Sequence, residues 1–253
     1  MEIMRSVQRW GNSGGILVPK EWLNKEVKII LIDRSSNIKK EIFAILDNYL
    51  EDIIGIYLTG SYSRGEQRRD SDIDIIAISN DTRKEITSGK YNISIIPIHT
   101  LEKTLKNNPI MILPRLLEAK PVTNSGLLDK FKETKISRES FNDFILDTER
   151  IININEELID LENSSNKYLE SNELIYSLLL RLRSIYLIKC ILYRKKYSNL
   201  HFLNFLKRSV GEDYLNVYDV YRLIKEGKKT EIKIPLKVAE RLIKLLKKEV
   251  KNG

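Results

Sequence analysis

Thiol and imidazole are almost missing from this chain. Its 253 residues contain one cysteine, Cys190, and two histidines, His99 and His201. A single thiol cannot close an internal disulfide, which fits a reducing compartment such as the cytosol. So few Cys and His ligands also exclude a zinc site. Cys190 lies in an apolar helical run and reads as a packing residue. Long apolar runs are missing too. The most apolar stretch, Leu174 to Tyr193, is interrupted by Arg181, Arg183 and Lys189, and a membrane-spanning helix tolerates such charges poorly. The first fifteen residues lack the apolar core of a secretion signal. A cytoplasmic protein without membrane association is expected.

What is present is the composition of a folded protein, 42% hydrophobic and 31% charged, far from the disordered class. Lys and Arg outnumber Asp and Glu by 43 to 35, a formal net charge of +8. That balance suits nucleotide or nucleic-acid partners. The lysines are spread along the whole chain, however, so a basic soluble surface explains it equally well.

Three zones follow one another, and together they predict an α+β protein. Residues 1–35 read as a small β module. Val7 to Trp10 and Ile16 to Val18 are short strands around Gly11-Asn12-Ser13-Gly14-Gly15, and Val27 to Ile32 is a third. Gly and Asn supply the positive φ angles of a tight hairpin. A piece this small cannot bury its own core, so it must pack on the rest of the chain or pair with a second copy. Residues 36–135 alternate helix and strand. Asn37 to Leu50 has a helical apolar face; Ile53 to Thr59, Ile73 to Ile78 and Asn92 to Ile98 are strands; Leu101 to Leu105 and Ile110 to Leu117 return to helical spacing. Residues 136–253 are almost entirely helical, with periodic segments at Phe141 to Leu161, Leu169 to Tyr193, Phe202 to Val210, Tyr214 to Lys225 and Leu236 to Lys248, the pattern of a bundle.

Chemistry concentrates in Thr59-Gly60-Ser61-Tyr62-Ser63-Arg64-Gly65-Glu66, followed by Asp70-Ser71-Asp72-Ile73-Asp74. One strand ends at Gly60-Ser61. Ten residues later a second opens with Asp72 and Asp74. Two carboxylates two residues apart on a strand share a side, and like charges so placed repel unless a cation neutralises them. Hard oxygen ligands of this kind suit Mg²⁺. Gly60 lets the backbone approach a phosphate, and Ser61 adds a hydroxyl and an N–H. An Asp-x-Asp alone is commonly a solvated strand edge. Its pairing with an upstream Gly-Ser between two strands makes chance a poor account.

This segment resembles the DNA polymerase β nucleotidyltransferase superfamily, and within it the minimal nucleotidyltransferases of prokaryotes, some of which are antitoxins. The resemblance covers about 100 residues. It implies Mg²⁺ on Asp72 and Asp74 as the catalytic pair, and a nucleoside triphosphate, expected to be ATP, held by Gly60, Ser61 and Arg64. It also implies a third carboxylate on a later strand. Here that strand, around Tyr91 to Pro97, offers only Asn92 and Ser94, and neither is an anionic base at neutral pH. Asp81 and Glu85 substitute only if the fold brings them close. Nucleotide binding is therefore better founded than turnover.

The flanks carry fainter resemblances. Trp10-Gly11-Asn12-Ser13 and Val18-Pro19-Lys20-Glu21-Trp22 resemble the AbrB/MazE-like swapped-hairpin family, which implies a homodimer and DNA contacts from Arg9, Asn12, Ser13 and Lys20. The helical zone is similar in plan to the bundles of antibiotic nucleotidyltransferases and to HEPN domains. Arg194 and His201 meet the spacing of a HEPN ribonuclease pair, though basic residues at a helix end commonly just complement its dipole. Three functions are thus expected in descending order. The first is a Mg²⁺-dependent enzyme moving a nucleoside monophosphate to a hydroxyl of a partner protein, an RNA or a small molecule, in a toxin–antitoxin-like setting. The second is a DNA-binding dimeric regulator with a degenerate nucleotide site. The third is a ribonuclease.

Overall fold

The computed structural model describes residues 5, 7–27, 35–163 and 167–251. The chain divides into two compact units, Met1–Ile42 and Phe43–Gly253. The architecture is α+β, as the alternation of patterns predicts.

In the first unit, β1 (Gln8–Trp10) and β2 (Ser13–Gly15) form an antiparallel hairpin, with Trp10 opposite Ser13. Gly11, at φ +59°, starts the two-residue turn. The second strand thus begins at Ser13 and not at Ile16. The reason is local: the turn takes only Gly11 and Asn12, so Ser13 already pairs with Trp10, and the Trp10 ring lies against Gly15, where a Cβ would stand 2.7 Å from Cε3. The expected strand at Val27 to Ile32 falls, from residue 28 onward, outside the described residues. Helix α1 (Ser35–Leu46) follows, with Ile38, Ile42 and Leu46 buried at four-residue spacing, one apolar stripe of a helix.

The second unit holds a five-stranded mixed sheet in the order β5-β6-β4-β3-β7. Its strands are β3 (Ile53–Thr59), β4 (Ile73–Ser79), β5 (Lys84–Ser88), β6 (Tyr91–Pro97) and β7 (Lys120–Thr123). Only β4 and β6 run parallel. Ile73 and the run Ile75, Ile76, Ala77 and Ile78 are fully buried; a run apolar at successive positions belongs in the middle of a sheet covered on both faces. Short helix α2 (Gly60–Arg64) links β3 to the loop before β4, and α3 (Ile98–Asn107), α4 (Leu113–Glu118) and α5 (Ser125–Lys132) complete this part. Beneath one face Tyr57, Ile76 and Ile78 pack with Leu101, Leu113, Leu116 and Phe131.

Five longer helices follow: α6 (Asn142–Asn163), α7 (Glu173–Leu192), α8 (Asn199–Val210), α9 (Tyr214–Lys225) and α10 (Leu236–Lys251). Their core runs from Ile175, Leu178 and Leu182 to Phe202, Val217, Leu242 and Leu246. Ile136 and Ile191, partly buried, pack against both cores and so join bundle to sheet. No helix among the described residues is long and apolar enough to cross a membrane.

Candidate functional site

Thr59 and Asp74 are direct partners in the β3–β4 ladder, and the Thr59 hydroxyl donates to the Asp74 carbonyl at 3.2 Å. Strand β3 stops there because Gly60 turns to φ +69°, a conformation glycine adopts freely. Glycine is needed for a second reason. A Cβ on Gly60 would stand 3.1 Å from Asp74 Cγ and closer still to its Oδ2. The backbone turn and the carboxylate therefore occupy adjoining space. Ser61 follows in the first turn of α2, half-buried, and Gly65, at φ +74°, ends that helix with its N–H on the Ser61 carbonyl.

Asp72 is exposed and lies just before β4, while Asp74 is partly buried. Burial raises the Asp74 carboxyl above the ordinary aspartate value, and the Asp72 charge adds to this; Arg115, Lys225 and Arg64 pull in the opposite direction without cancelling it. The Asp74 carboxylate thus feels Asp72 and three cations, from α4, α9 and α2. Neither Arg115 nor Lys225 has an ion-pair partner among the described residues.

Arg64 has partners of its own. It bonds Glu66 at 2.8 Å and Glu118 at 2.6 Å, and its Cζ lies 5.5 Å from the Tyr197 ring centroid. Glu118, the last residue of α4, also accepts the Gly60 N–H at 2.8 Å, and its carbonyl accepts the Ser63 hydroxyl. Sequence reasoning missed Glu118, because a glutamate ending a helix 58 residues downstream of Gly60 carries no local signal. Glu66 in turn accepts Ser198 Oγ and the Asn199 N–H, each at 3.0 Å. Burial alone would raise Glu66; the bonds from Arg64, Ser198 and Asn199 outweigh it and hold the carboxylate low. The chain Gly60–Glu118–Arg64–Glu66–Asn199 therefore ties the turn to the start of α8.

Behind it, Arg183 of α7 donates to the Tyr197 hydroxyl at 3.0 Å and the Tyr221 hydroxyl at 3.3 Å, with its Cζ 5.3 Å from the Tyr197 ring. No carboxylate pairs with it among the described residues. Arg222 of α9 reaches Asp70 in the loop at 3.9 Å. The bundle thus turns a cationic and tyrosine-rich side toward this corner. None of these residues stands out in the sequence, where they look like ordinary helix surface.

The expected third carboxylate position is fixed by strand register. Asn92 is the β6 partner of Asp74, and Ser94 is two residues further along. Asn92 accepts a 3.3 Å bond from Thr87, and Ser94 donates to Glu85 at 2.8 Å. Glu85 lies on edge strand β5, opposite Ser94, so it stands two strands from Asp74, roughly 10 Å at ordinary strand spacing. The Asp81 N–H bonds Asp52 at the other end of β4, roughly 20 Å from Asp74 along the strand. Neither completes the pair. No group of three or more His, Cys, Asp or Glu suited to a metal occurs among the described residues. Asp72 and Asp74 still suit Mg²⁺, which keeps several waters and takes one or two carboxylates plus substrate phosphates.

The remaining candidates lie elsewhere. In the hairpin, Arg9, Asn12, Ser13 and Lys20 are exposed; Arg9 Nε bonds the Gly11 carbonyl and Ser13 Oγ the Trp10 carbonyl. Arg194 sits past the end of α7 at φ +52°, and His201 in the first turn of α8.

Residues 39–160, a little under half of the chain, match the family model described as the nucleotidyltransferase domain. The chain carries a nucleotidyltransferase domain over that span. No curated protein matches it. Among solved structures, it is similar to a nucleotidyltransferase-like protein from Exiguobacterium sibiricum, at 12% identity over 85% of this chain and 75% of that one, TM-score 0.36. It is similar to spectinomycin adenyltransferase AAD(9) from Enterococcus faecialis, solved with ATP and spectinomycin, at 16% identity over 85% and 99%, TM-score 0.47. It is also similar to a toxin–antitoxin structure with AMP-PNP, at 18% identity over 48% and 95%, TM-score 0.25.

Proposed function

We propose that the chain is a Mg²⁺-dependent nucleotidyltransferase that moves a nucleoside monophosphate from a triphosphate, ATP by family resemblance, to a hydroxyl acceptor. The observation that carries this is the Asp74 carboxylate, partly buried, raised, and set against a side-chain-free turn at Gly60. A buried carboxylate beside a second one costs folding free energy, which a protein retains where a cation and an anion are to be bound.

In this reading Asp72 and Asp74 hold the metal, and Gly60 and Ser61 border the phosphates. Arg115 and Lys225, cations without carboxylate partners among the described residues, meet the triphosphate charge. Arg64 acts as a strut between Glu118 and Glu66, holding the turn in place. A bound Mg²⁺ supplies Lewis-acid polarisation of the α-phosphate. The acceptor oxygen attacks the α-phosphorus, the bond to the bridging oxygen breaks, and pyrophosphate leaves. Asn92 and Ser94 offer no base, so the acceptor proton goes to solvent and turnover is slow. The acceptor is a partner protein, as in a toxin–antitoxin-like pair, or an RNA, and the setting is cytoplasmic.

Two observations favour a second reading. Asn92 faces Asp74 where the family places a carboxylate, and the hairpin presents Arg9, Asn12, Ser13 and Lys20 to solvent. Under it the protein is a dimeric DNA-binding regulator, and the corner senses nucleotide without turning it over. Incubation with α-labelled ATP, Mg²⁺ and cell extract separates the two. Label transfer that disappears in Asp72→Asn/Asp74→Asn supports the enzyme. No transfer, with salt-sensitive binding to the protein's own upstream DNA, supports the regulator.

A further inference from the structure

Helix α6 is apolar on two opposite faces. Its inner face delivers Ile152 and Ile159 to the bundle core, flanked by buried Thr148 and Asn155. At 3.6 residues per turn, Leu146, Ile154 and Leu161 fall on the other side, with Leu158 at its flank. Leu146, Ile154 and Leu161 are 54%, 52% and 73% exposed, and Leu158 45%. One exposed leucine needs no explanation; three large apolar residues on one stripe, about 22 Å long at 1.5 Å per residue, do.

The stripe is also charged in a particular order. Arg150 and Glu157 lie on it, both exposed and neither ion-paired among the described residues. The seam reads Leu146, Arg150, Ile154, Glu157, Leu161, at the three- and four-residue spacing by which helices pack on one another. Read backward it is Leu, Glu, Ile, Arg, Leu: the same apolar frame with the charges exchanged. A stripe of this kind is complementary to a reversed copy of itself. About a two-fold axis beside Ile154, Leu146 meets Leu161 of the partner subunit and Arg150 meets Glu157 of the partner subunit, each contact made twice. A parallel pair would instead oppose Arg150 to the partner's Arg150 and Glu157 to the partner's Glu157.

We propose that α6 is a homodimerisation seam, packed antiparallel against α6 of a second copy. The inference is independent of the catalytic reading, since no residue of the Gly60–Asp74 corner enters it. The test is sedimentation equilibrium of the full chain over a range of concentrations, with circular dichroism as a check on folding. The wild type dimerises at micromolar concentration, and Ile154→Lys, which sets two ammonium groups at the axis, is a folded monomer. Arg150→Glu and Glu157→Arg each weaken the dimer on the order of tenfold by replacing two attractive contacts with two repulsive ones. The double exchange Arg150→Glu/Glu157→Arg restores it, which a general folding effect would not. A monomeric wild type, a dimer that survives Ile154→Lys, or a double exchange that fails to restore pairing overturns the proposal.

Discussion

Alanine at Gly60 and at Gly65 makes a matched pair of perturbations. Both glycines sit in left-handed backbone, at φ +69° and +74°, so both alanines carry the same conformational cost, about 1–2 kcal/mol. In a folded unit of this size that is worth a fall of roughly 2–8 °C in Tm. They differ in what the new methyl meets. At Gly65 nothing lies within 4 Å; at Gly60 the Asp74 carboxylate is in the way. Since the carboxylate is the flexible partner, it must swing aside. Gly65→Ala should therefore lower Tm and leave Mg²⁺-dependent ATP binding within about twofold of wild type. Gly60→Ala should lower Tm further and weaken that binding on the order of tenfold or more, because a displaced Asp74 no longer shares a metal with Asp72. Differential scanning fluorimetry gives the first quantity and titration calorimetry the second. Equal loss of affinity in both variants, or wild-type affinity in Gly60→Ala, refutes the reasoning that the turn and the carboxylate form one site.

Three further outcomes follow from the same geometry. Asn92→Asp places a carboxylate in register with Asp74, and label transfer should accelerate by about a hundredfold, the lower end of the range for a positioned base; an unchanged rate means the acceptor does not pass β6. Asp74→Asn should raise Tm at neutral pH without metal. The Asp74 carboxyl is raised in the folded state, so its ionisation opposes folding: the penalty is absent below the ordinary aspartate range, grows as pH rises through the folded value, and is full at neutrality. The Tm gap between variant and wild type should close as pH falls toward about 4, and a constant gap contradicts the cause. Glu118→Gln keeps an acceptor for the Gly60 N–H but removes the charge facing Arg64, and should cost about 1–3 kcal/mol in denaturant unfolding; no change would mean that Glu118 does not anchor the turn.

The parts of this structure that were readable in advance are those where a residue's neighbours in sequence are also its neighbours in space. Strand β4 is announced by an unbroken apolar run, and α10 by the three- and four-residue spacing of Leu236, Ala239, Leu242, Ile243 and Leu246. The corner at Gly60, Asp72 and Asp74 falls within one hairpin, so its spacing survives in the chain. Strand β5 was missed because Lys84-Glu85-Ile86-Thr87-Ser88 has one apolar residue, as an exposed edge strand needs no more. Strand β7 was missed because Pro121 argues against a strand, and an edge position is the one place in a sheet that tolerates it. Helix α5 is not among the expected helices; it starts on Asn124, whose side chain accepts the Leu127 N–H and donates to the Ile54 carbonyl, and that tie to β3 has no local signature in the sequence. Glu118, Arg115 and Lys225 reach the corner through tertiary packing alone, and nothing in their immediate sequence sets them apart from solvated helix surface.

The proposed function requires that the Gly60–Asp74 corner bind a nucleoside triphosphate through a divalent cation. Titration of ATP into the full chain, with Mg²⁺ and then with a chelator, tests it most directly when Asp72→Asn/Asp74→Asn is run alongside. Binding with Mg²⁺ that is lost both on chelation and in the double variant is the expected result. Binding that persists in the double variant, or no binding by the wild type, contradicts it.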